Sequence, residues 1–517
     1  MKPGGVVAAG HSATAHAAAE VLRAGGNAFD AVIAAHFAAC IAEPVLCSLG
    51  GGGFLTASRA GAKPVVYDFF TQTPLQKKPL AELDFYPITA DFGTAQQEFH
   101  IGCAAAGTPG SVAGLFAIHR ELGSLPMTRL VEPAMELARN GVAVNAFQAY
   151  IFSIVAPIYL STPAARQLFT DPQHPEQILQ SGHLLVQREQ ADFLEHLARE
   201  GEALFYQGEI AAQIDQLGRE HGGYLSRADL QQYQVIKREP LEIPYRDTRV
   251  YINPPPSSGG LLIAFALELL GQLDLSAYPA QAPERLELLA AVMDLTHEAR
   301  IAAQIDGGFQ QASQLLNPDY LQRYQQQIRH RAKALRGTTH ISVIDTGGNV
   351  ASMTLSNGEG CGVLIPGTGI MLNNMLGEED LNHGGFHQWQ TDQRMTSMMA
   401  PAIVLCADGR EIAIGSGGSN RIRSAILQVL SQLIDHQLPV EQAVAAPRIH
   451  LERDLLNIEG GFAPEQLTQL VQAYPRHCVW EDLNLFFGGA HTVVRDRQGF
   501  SGSGDPRRGG VCVQVKV

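Results

Sequence analysis

The chain has 517 residues, 45% of them hydrophobic and 17% charged, with a formal net charge of −14. This length exceeds one ordinary core and predicts two domains or one large interleaved fold. The acidic balance excludes a nucleic-acid partner and gives no basic face for an anionic membrane. The seven cysteines contain no C-x-x-C pair and sit mainly among apolar residues, so they read as buried reduced thiols. No apolar run reaches the roughly 18 residues of a membrane span. The opening Met1-Lys2-Pro3-Gly4-Gly5 lacks the apolar core of a signal peptide. The chain as written therefore reads as cytoplasmic, and as periplasmic or secreted if a leader was removed.

In chain order, Ser12 to Ala24 predicts an alanine-rich helix with Ser12 as N-cap. Gly25-Gly26 stops it, and Asn27 caps a second helix running to about Ala42. The run Gly50–Gly53 between helix and strand permits close backbone approach. It lacks the G-x-x-x-x-G-K-[ST] pattern of a phosphate loop, so packing is the better account. A strand follows at Pro64–Tyr67, then a mostly helical stretch from about Ser111 to Glu239, then a strand at Tyr245–Ile252. Pro254-Pro255-Pro256-Ser257-Ser258-Gly259-Gly260 forbids helix and then releases the chain into helices predicted from Leu261 to Ala334. The basic Arg329–Arg336 reads as an exposed connector.

Beyond Thr338 strands dominate: Ile341–Ile344, Asn349–Leu355, Ile370–Leu372, Ala402–Leu405, Ile412–Ile414 and His491–Val494, with a hairpin turn at Asp345–Gly348. Helices fit Ile422–His436, Val440–Ala445 and Pro464–Ala473. The whole predicts stacked α/β or α+β layers.

One segment points to chemistry. Gly337-Thr338-Thr339-His340 opens a strand. If the peptide bond before Thr338 is cut, that residue carries a hydroxyl nucleophile and its own α-amine as base, with a pKa of about 7.7–8.0. At Gly415-Ser416-Gly417-Gly418-Ser419-Asn420-Arg421 a strand enters a helix through glycines. Backbone N–H groups there form either an oxyanion hole or a tight turn. Other catalysts are not spelled out: the chain has no G-x-S-x-G elbow, no H-E-x-x-H and no zinc spacing of cysteines. His383 and His387 flank Gly384-Gly385 and read as loop histidines.

With these segments in view, the chain resembles the γ-glutamyltransferases (γ-glutamyltranspeptidases), which are N-terminal-nucleophile hydrolases. The matching residues run from Leu22-Arg23-Ala24-Gly25-Gly26-Asn27 and Glu43-Pro44 with Gly50–Gly53, through Thr108-Pro109-Gly110-Ser111 and Asn253–Gly260. They continue at Thr338-Thr339-His340, Leu372-Asn373-Asn374, Gly415–Arg421, Ala446-Pro447-Arg448 and Gly504-Asp505-Pro506-Arg507.

The resemblance implies a four-layer αββα sandwich made as a precursor. Cleavage between Gly337 and Thr338 would give chains 1–337 and 338–517 that stay associated, and a homodimer is allowed. It implies Thr338 as nucleophile, Gly417 and Gly418 as oxyanion donors, Asn357 near the nucleophile's amine and Ser356 at the place of an orienting threonine. No cofactor or metal is implied. The expected partners are a small-molecule amide substrate and an amine acceptor or water, with no nucleic acid and no membrane.

Substrate recognition departs from the family pattern. Phe70 stands where the resemblance implies a carboxylate-clamping arginine, and a phenyl ring cannot supply a bidentate guanidinium. A serine pair becomes Ser397-Met398, and Gln-x-x-Asp becomes Met375-Leu376-Gly377-Glu378. Glu378 keeps a negative charge for an α-amine. Either another arginine compensates, Arg394 or Arg421, or the acyl group differs. Three functions follow: a γ-glutamyl amide hydrolase/transferase acting on glutathione-like compounds, an acylase for another acyl group such as a β-lactam side chain, and an uncleaved binding relative.

Overall fold

A computed structural model describes residues 4–91, 96–302, 315–316, 338–382 and 384–516. Gly337, His383 and the connector predicted at 329–336 lie outside these residues, as do most of the helices predicted beyond 302.

Two antiparallel sheets form the centre. The first has seven strands in the order Ile236–Arg238, Val65–Phe69, Gly52–Ser58, Val350–Ser356, Thr339–Asp345, Gly5–Ala9 and Val511–Val515. The second has six: Leu241–Tyr245, Thr248–Ile252, Ala402–Cys406, Glu411–Gly417, Gly489–Asp496 and Gly499–Ser503. Val6, Ala8, Ile344, Val350, Ile403, Ala413 and Val493 pack between them. Nearer the site the sheets are joined by polar pegs: Ser352 Oγ donates to the Ile414 carbonyl at 2.9 Å, and Ser342 Oγ to the His491 carbonyl at 3.1 Å. These bonds fix the strand of Thr339 against Gly489–Asp496 and its neighbour Val350–Ser356 against Glu411–Gly417, because each satisfies a buried carbonyl in a single register.

The helices Ser12–Arg23, Ala28–Ala42, Ser111–Leu122 and Met127–Asn140 cover the outer face of the first sheet. Ser258–Gly271, Pro283–Ala302 and Arg421–Ile434 cover the second. This is the αββα sandwich that the resemblance implied, and each sheet mixes strands from before and after residue 338.

Local predictions fared unevenly. Asn27 caps Ala28–Ala42 in a full capping box with Asp30. The first helix is capped by His11, whose Nδ1 accepts the Ala13 N–H at 3.1 Å, rather than by Ser12, which is its first helical residue. The strand expected at Tyr245–Ile252 begins at Thr248, because Arg246-Asp247 turns the chain back from a preceding strand, Leu241–Tyr245, that was not anticipated. Among the described residues no helix is long and apolar enough to cross a membrane. All seven cysteines are free, with Cys478 exposed.

The glycine run serves packing, as expected. A Cβ on Gly50, Gly51 or Gly53 would come within 2.3, 2.4 and 2.5 Å of the carbonyl oxygens of Met371, Ser356 and Thr354. These four residues lay the first sheet's strand directly on the segment that follows Ser356.

Candidate active site

Thr338 is 4% exposed and immediately precedes the strand Thr339–Asp345. The pleat sends successive side chains to opposite faces. Thr339 Oγ1 therefore turns away and donates to Glu43 Oε2 at 2.8 Å, while Glu43 Oε1 accepts from Thr14 Oγ1 at 2.8 Å. Burial pushes the Glu43 carboxyl up, against the hydrogen bonds from the two threonines and the charge of Arg508. Thr338 instead borders a small cavity of about 30 Å³, with Phe70, Ser356, Met375, Glu378, Ser397 and Met398 among its walls.

The backbone of Thr338 is held from behind. Its carbonyl accepts from Arg508 Nη1 at 3.3 Å, and a Cβ on Gly417 would lie 1.9 Å from that same oxygen. Only glycine at 417 allows the two central strands to meet here. Gly418 follows at φ 117°, a conformation open to glycine, and Ser419 at φ 49° completes the turn into Arg421–Ile434. The Thr338 strand and this helix N-terminus thus converge, as predicted for Gly417 and Gly418.

Arg508 was not anticipated, although Arg507-Arg508 directly continues the recognised Gly504–Arg507 motif. Its guanidinium is fully buried, and burial pushes it down to about 10 against the opposing charges of Asp505 and Glu43. The turn that carries it is pinned by charge. Asp505 Oδ2 accepts from Arg448 Nη2 at 2.7 Å and from the Ala490 N–H at 2.8 Å, and Arg507 Nη2 donates to Glu459 Oε2 at 2.6 Å. Burial raises the Asp505 carboxyl, but Arg448 and Arg507 outweigh it and hold the group well below its usual range.

Two histidines lie beside this array. His340 bonds Thr354 Oγ1 and Ser342 Oγ, both at 2.8 Å, and its ring occupies the place where a Gly415 side chain would be. Burial, then the neighbouring His491, pushes its pKa well down. His491 Nδ1 accepts the Asp505 N–H at 3.0 Å, and burial pushes its pKa down to about 4. Both rings are therefore neutral in the native state. The unfolded chain takes up their protons first, so their contribution is complete above about pH 6.5 and is lost as pH falls toward 4. His491 alone should account for about 3 kcal/mol between those limits. Denaturant midpoints measured at pH 7 and pH 4.5 should fall accordingly, and His491→Gln should flatten the slope.

The expected substrate residues are largely brought together. Phe70, Ser356, Glu378 and Ser397 all border the cavity of Thr338. The Ser397 carbonyl accepts from Ser257 Oγ at 3.0 Å and from the Ser258 N–H at 2.9 Å, which is how the Pro254–Gly260 segment positions Ser397 and Met398. Asn373 joins Gly50, Gly107 and Met375 through both ends of its amide. Gly358, at φ 61°, leaves room for Glu378: a Cβ there would lie 2.2 Å from Glu378 Oε1. Asn357 is the exception. It is fully buried, and neither its Oδ1 nor its Nδ2 has a hydrogen-bond partner.

Neither arginine considered as a replacement for the missing clamp borders the cavity. Arg394 donates to the Phe70 carbonyl, to Tyr233 Oη and to the Gln234 carbonyl, and lies 3.6 Å from Asp68. It holds the backbone of Phe70 from behind while the phenyl ring, stacked on Phe54 at 5.5 Å, fills the front. Arg421 donates Nε to the Phe486 carbonyl at 3.0 Å and lies over the Phe486 ring. Among the described residues lining the cavity, the charged groups are the carboxylates Glu378 and Asp380.

Comparison with known proteins agrees with this arrangement. The family model described as Gamma-glutamyltranspeptidase matches residues 14–515. The chain is 30% identical to a glutathione hydrolase proenzyme of Escherichia coli (strain K12), over 90% of this chain and 84% of that one. It is also 30% identical to the acylase ACY 1 proenzyme of Pseudomonas sp. (strain V22), over 91% and 86%. The solved cephalosporin acylase from Bacillus halodurans shares the fold, with a TM-score of 0.85 at 24% identity, covering 99% of this chain and 96% of that one. The chain belongs to the γ-glutamyltranspeptidase family and is an amide-cleaving hydrolase and acyltransferase of that type.

Proposed function

We propose that the chain cuts itself between Gly337 and Thr338 into chains 1–337 and 338–517, and that the freed Thr338 then cleaves γ-glutamyl-type amides of small molecules. The observation that carries this reading is the close approach of Gly417 to the Thr338 carbonyl at a helix entry whose Ser419 and Ile422 border the same cavity as Thr338. In the first step the Thr338 hydroxyl attacks the carbonyl of residue 337. The C–N bond breaks and frees the α-amine, an ester forms on the hydroxyl, and water hydrolyses it to restore the hydroxyl and leave a carboxylate on residue 337. That amine, with a pKa of about 7.7–8.0, then takes the hydroxyl proton when a substrate amide is attacked.

The Gly417 and Gly418 N–H groups stabilise the oxyanion at the positive end of Arg421–Ile434. The leaving amine takes a proton, and water or a second amine releases the acyl group. Asn357 is assigned to that α-amine by the resemblance alone; its buried side-chain amide has no hydrogen-bond partner of its own, which supports the assignment. Ser356 stands at the end of the neighbouring strand, and Glu378, on the cavity wall, would take the substrate's ammonium. The proenzyme names of the relatives support the two-chain reading.

The covalent intermediate is the test. When turnover of γ-glutamyl-p-nitroanilide is quenched in acid, the peptide beginning at Thr338 should carry the added acyl mass, and an amine acceptor should deplete it. Turnover with no adduct at any quench time, even in a variant slowed in release, would remove Thr338 from the nucleophile's role.

A second reading is supported by a specific observation. Phe70 and Met398 make the wall apolar where a carboxylate would sit, and Arg394 is committed behind it. This favours an acylase for an acyl group that lacks the α-carboxylate.

A further inference from the structure

The helix Ala28–Ala42 is buried along its whole length. It carries an imidazole and a thiol one turn apart, His36 and Cys40, which the i,i+4 spacing places on a single face. The chain then turns back: the N–H groups of Leu46 and Cys47 donate to the Glu43 carbonyl at 2.9 and 3.0 Å. That turn sets Cys47 Sγ 3.4 Å from Cys40 Sγ. One ring nitrogen of His36 and the two sulfurs all lie within 4.8 Å of one another.

The imidazole is the anomaly. His36 is 0% exposed and Phe69 stacks near it at 6.3 Å; its ring is in polar contact with the Cys47 thiol, but neither Nδ1 nor Nε2 makes a well-formed hydrogen bond. A neutral ring must present one N–H and one lone pair, and a buried polar group left unsatisfied costs about 1–3 kcal/mol. Native interiors rarely tolerate this without a water or an ion. A lone pair aimed at two thiols is what a soft cation requires.

We propose that His36, Cys40 and Cys47 bind a thiophilic d¹⁰ cation, zinc(II) or copper(I). Binding involves no redox change. The two thiol protons leave, the thiolate lone pairs form two metal–sulfur bonds, and the imidazole lone pair forms the third. Two thiolates and a neutral imidazole make the zinc complex electrically neutral, which suits an apolar interior where net charge is costly. Three soft ligands without a fourth are also compatible with copper(I). A zinc–sulfur bond of about 2.3 Å calls for a sulfur separation of about 3.8 Å, so the pair needs to open by only a few tenths of an ångström.

Burial keeps the Cys47 thiol well above its ordinary range. In the absence of the ion the protons stay on, and affinity falls with pH as they compete. The sequence shows no zinc spacing because Cys40-x₆-Cys47 is not a ligand motif; the pairing arises from the turn at Glu43. That turn also carries the carboxylate that holds Thr339, so the ion would brace the scaffold directly behind the proposed nucleophile.

The test uses the full-length protein, reduced, loaded separately with zinc(II), cobalt(II) as a spectroscopic probe, or copper(I), and then freed of excess metal. About one equivalent of zinc or copper should be retained, and cobalt should show thiolate-to-metal charge-transfer absorption. Cys40→Ala and Cys47→Ala should lower affinity by at least about tenfold and abolish the cobalt band, and His36→Leu should weaken both. Retention of copper(I) alone or of zinc alone names the ion, and either supports the site. The wild-type cobalt spectrum decides the matter even where a variant fails to fold. The proposal is overturned if no metal is retained and no band appears, if a Cys40→Ala/Cys47→Ala chain retains the metal, or if Cys40 and Cys47 form a disulfide that withstands the reductant.

Discussion

Thr338→Ala should leave one full-length chain of 55.7 kDa, whereas the parent protein should separate on denaturation into two fragments broken before Thr338. Amide turnover should fall with it, on the order of 10⁶-fold, as when a nucleophile that works as a unit with its base is removed. The neighbouring hydroxyl offers no rescue. Thr339 lies on the opposite face of the strand, and its Oγ1 is donated to Glu43 at 2.8 Å. Thr338→Ser, which keeps the hydroxyl and loses a methyl group, should still cleave, more slowly. Intact-mass spectrometry of the three proteins distinguishes the outcomes. Cleavage that persists in Thr338→Ala would assign the nucleophile elsewhere. An unbroken chain in all three would leave Thr338 buried without a free amine, and the self-processing mechanism would fall.

The sandwich and the candidate nucleophile were legible in the sequence for different reasons. Thr338 announced itself through a glycine, a strand start and a second glycine loop, all local signals. The strands at Ala402–Cys406 and Glu411–Gly417 were visible as short apolar runs between turns. Gly5–Ala9 and Val511–Val515 were not. Both are edge-proximal strands near the ends of the chain, and their pairing with each other bridges more than 500 residues.

The site residues that reasoning missed act through such long-range pairing. Arg508 reaches the Thr338 carbonyl across 170 positions, and no spacing rule encodes that distance. Likewise the two candidate arginines could be named from the sequence, but not their direction. Arg394 turns behind Phe70 because Asp68 and Tyr233 hold it there.

A panel of four p-nitroanilides should expose the acyl preference that this wall implies: γ-glutamyl, 4-aminobutyryl, glutaryl and butyryl. The first carries both an ammonium and a carboxylate, the second only the ammonium, the third only the carboxylate, and the fourth neither. Glu378 and Asp380 are the charged groups among the described lining residues, so the ammonium has partners. In the proposed binding mode the carboxylate would meet Phe70 and Met398, which offer no hydrogen bond to a charge that must shed its water, leaving Ser397 as the polar neighbour.

Removing the carboxylate should therefore cost less than about tenfold in kcat/KM. Removing the ammonium forfeits a charge-assisted contact worth about 1.5–3 kcal/mol, or about 10–150-fold. The expected order is 4-aminobutyryl near or above γ-glutamyl, with glutaryl and butyryl far below. A strong preference for γ-glutamyl over 4-aminobutyryl would require a cation at the carboxylate end, and an opening of the site that swings Arg394 or Arg421 toward Thr338. Glutaryl above 4-aminobutyryl would reverse the charge logic altogether and remove Glu378 from substrate recognition.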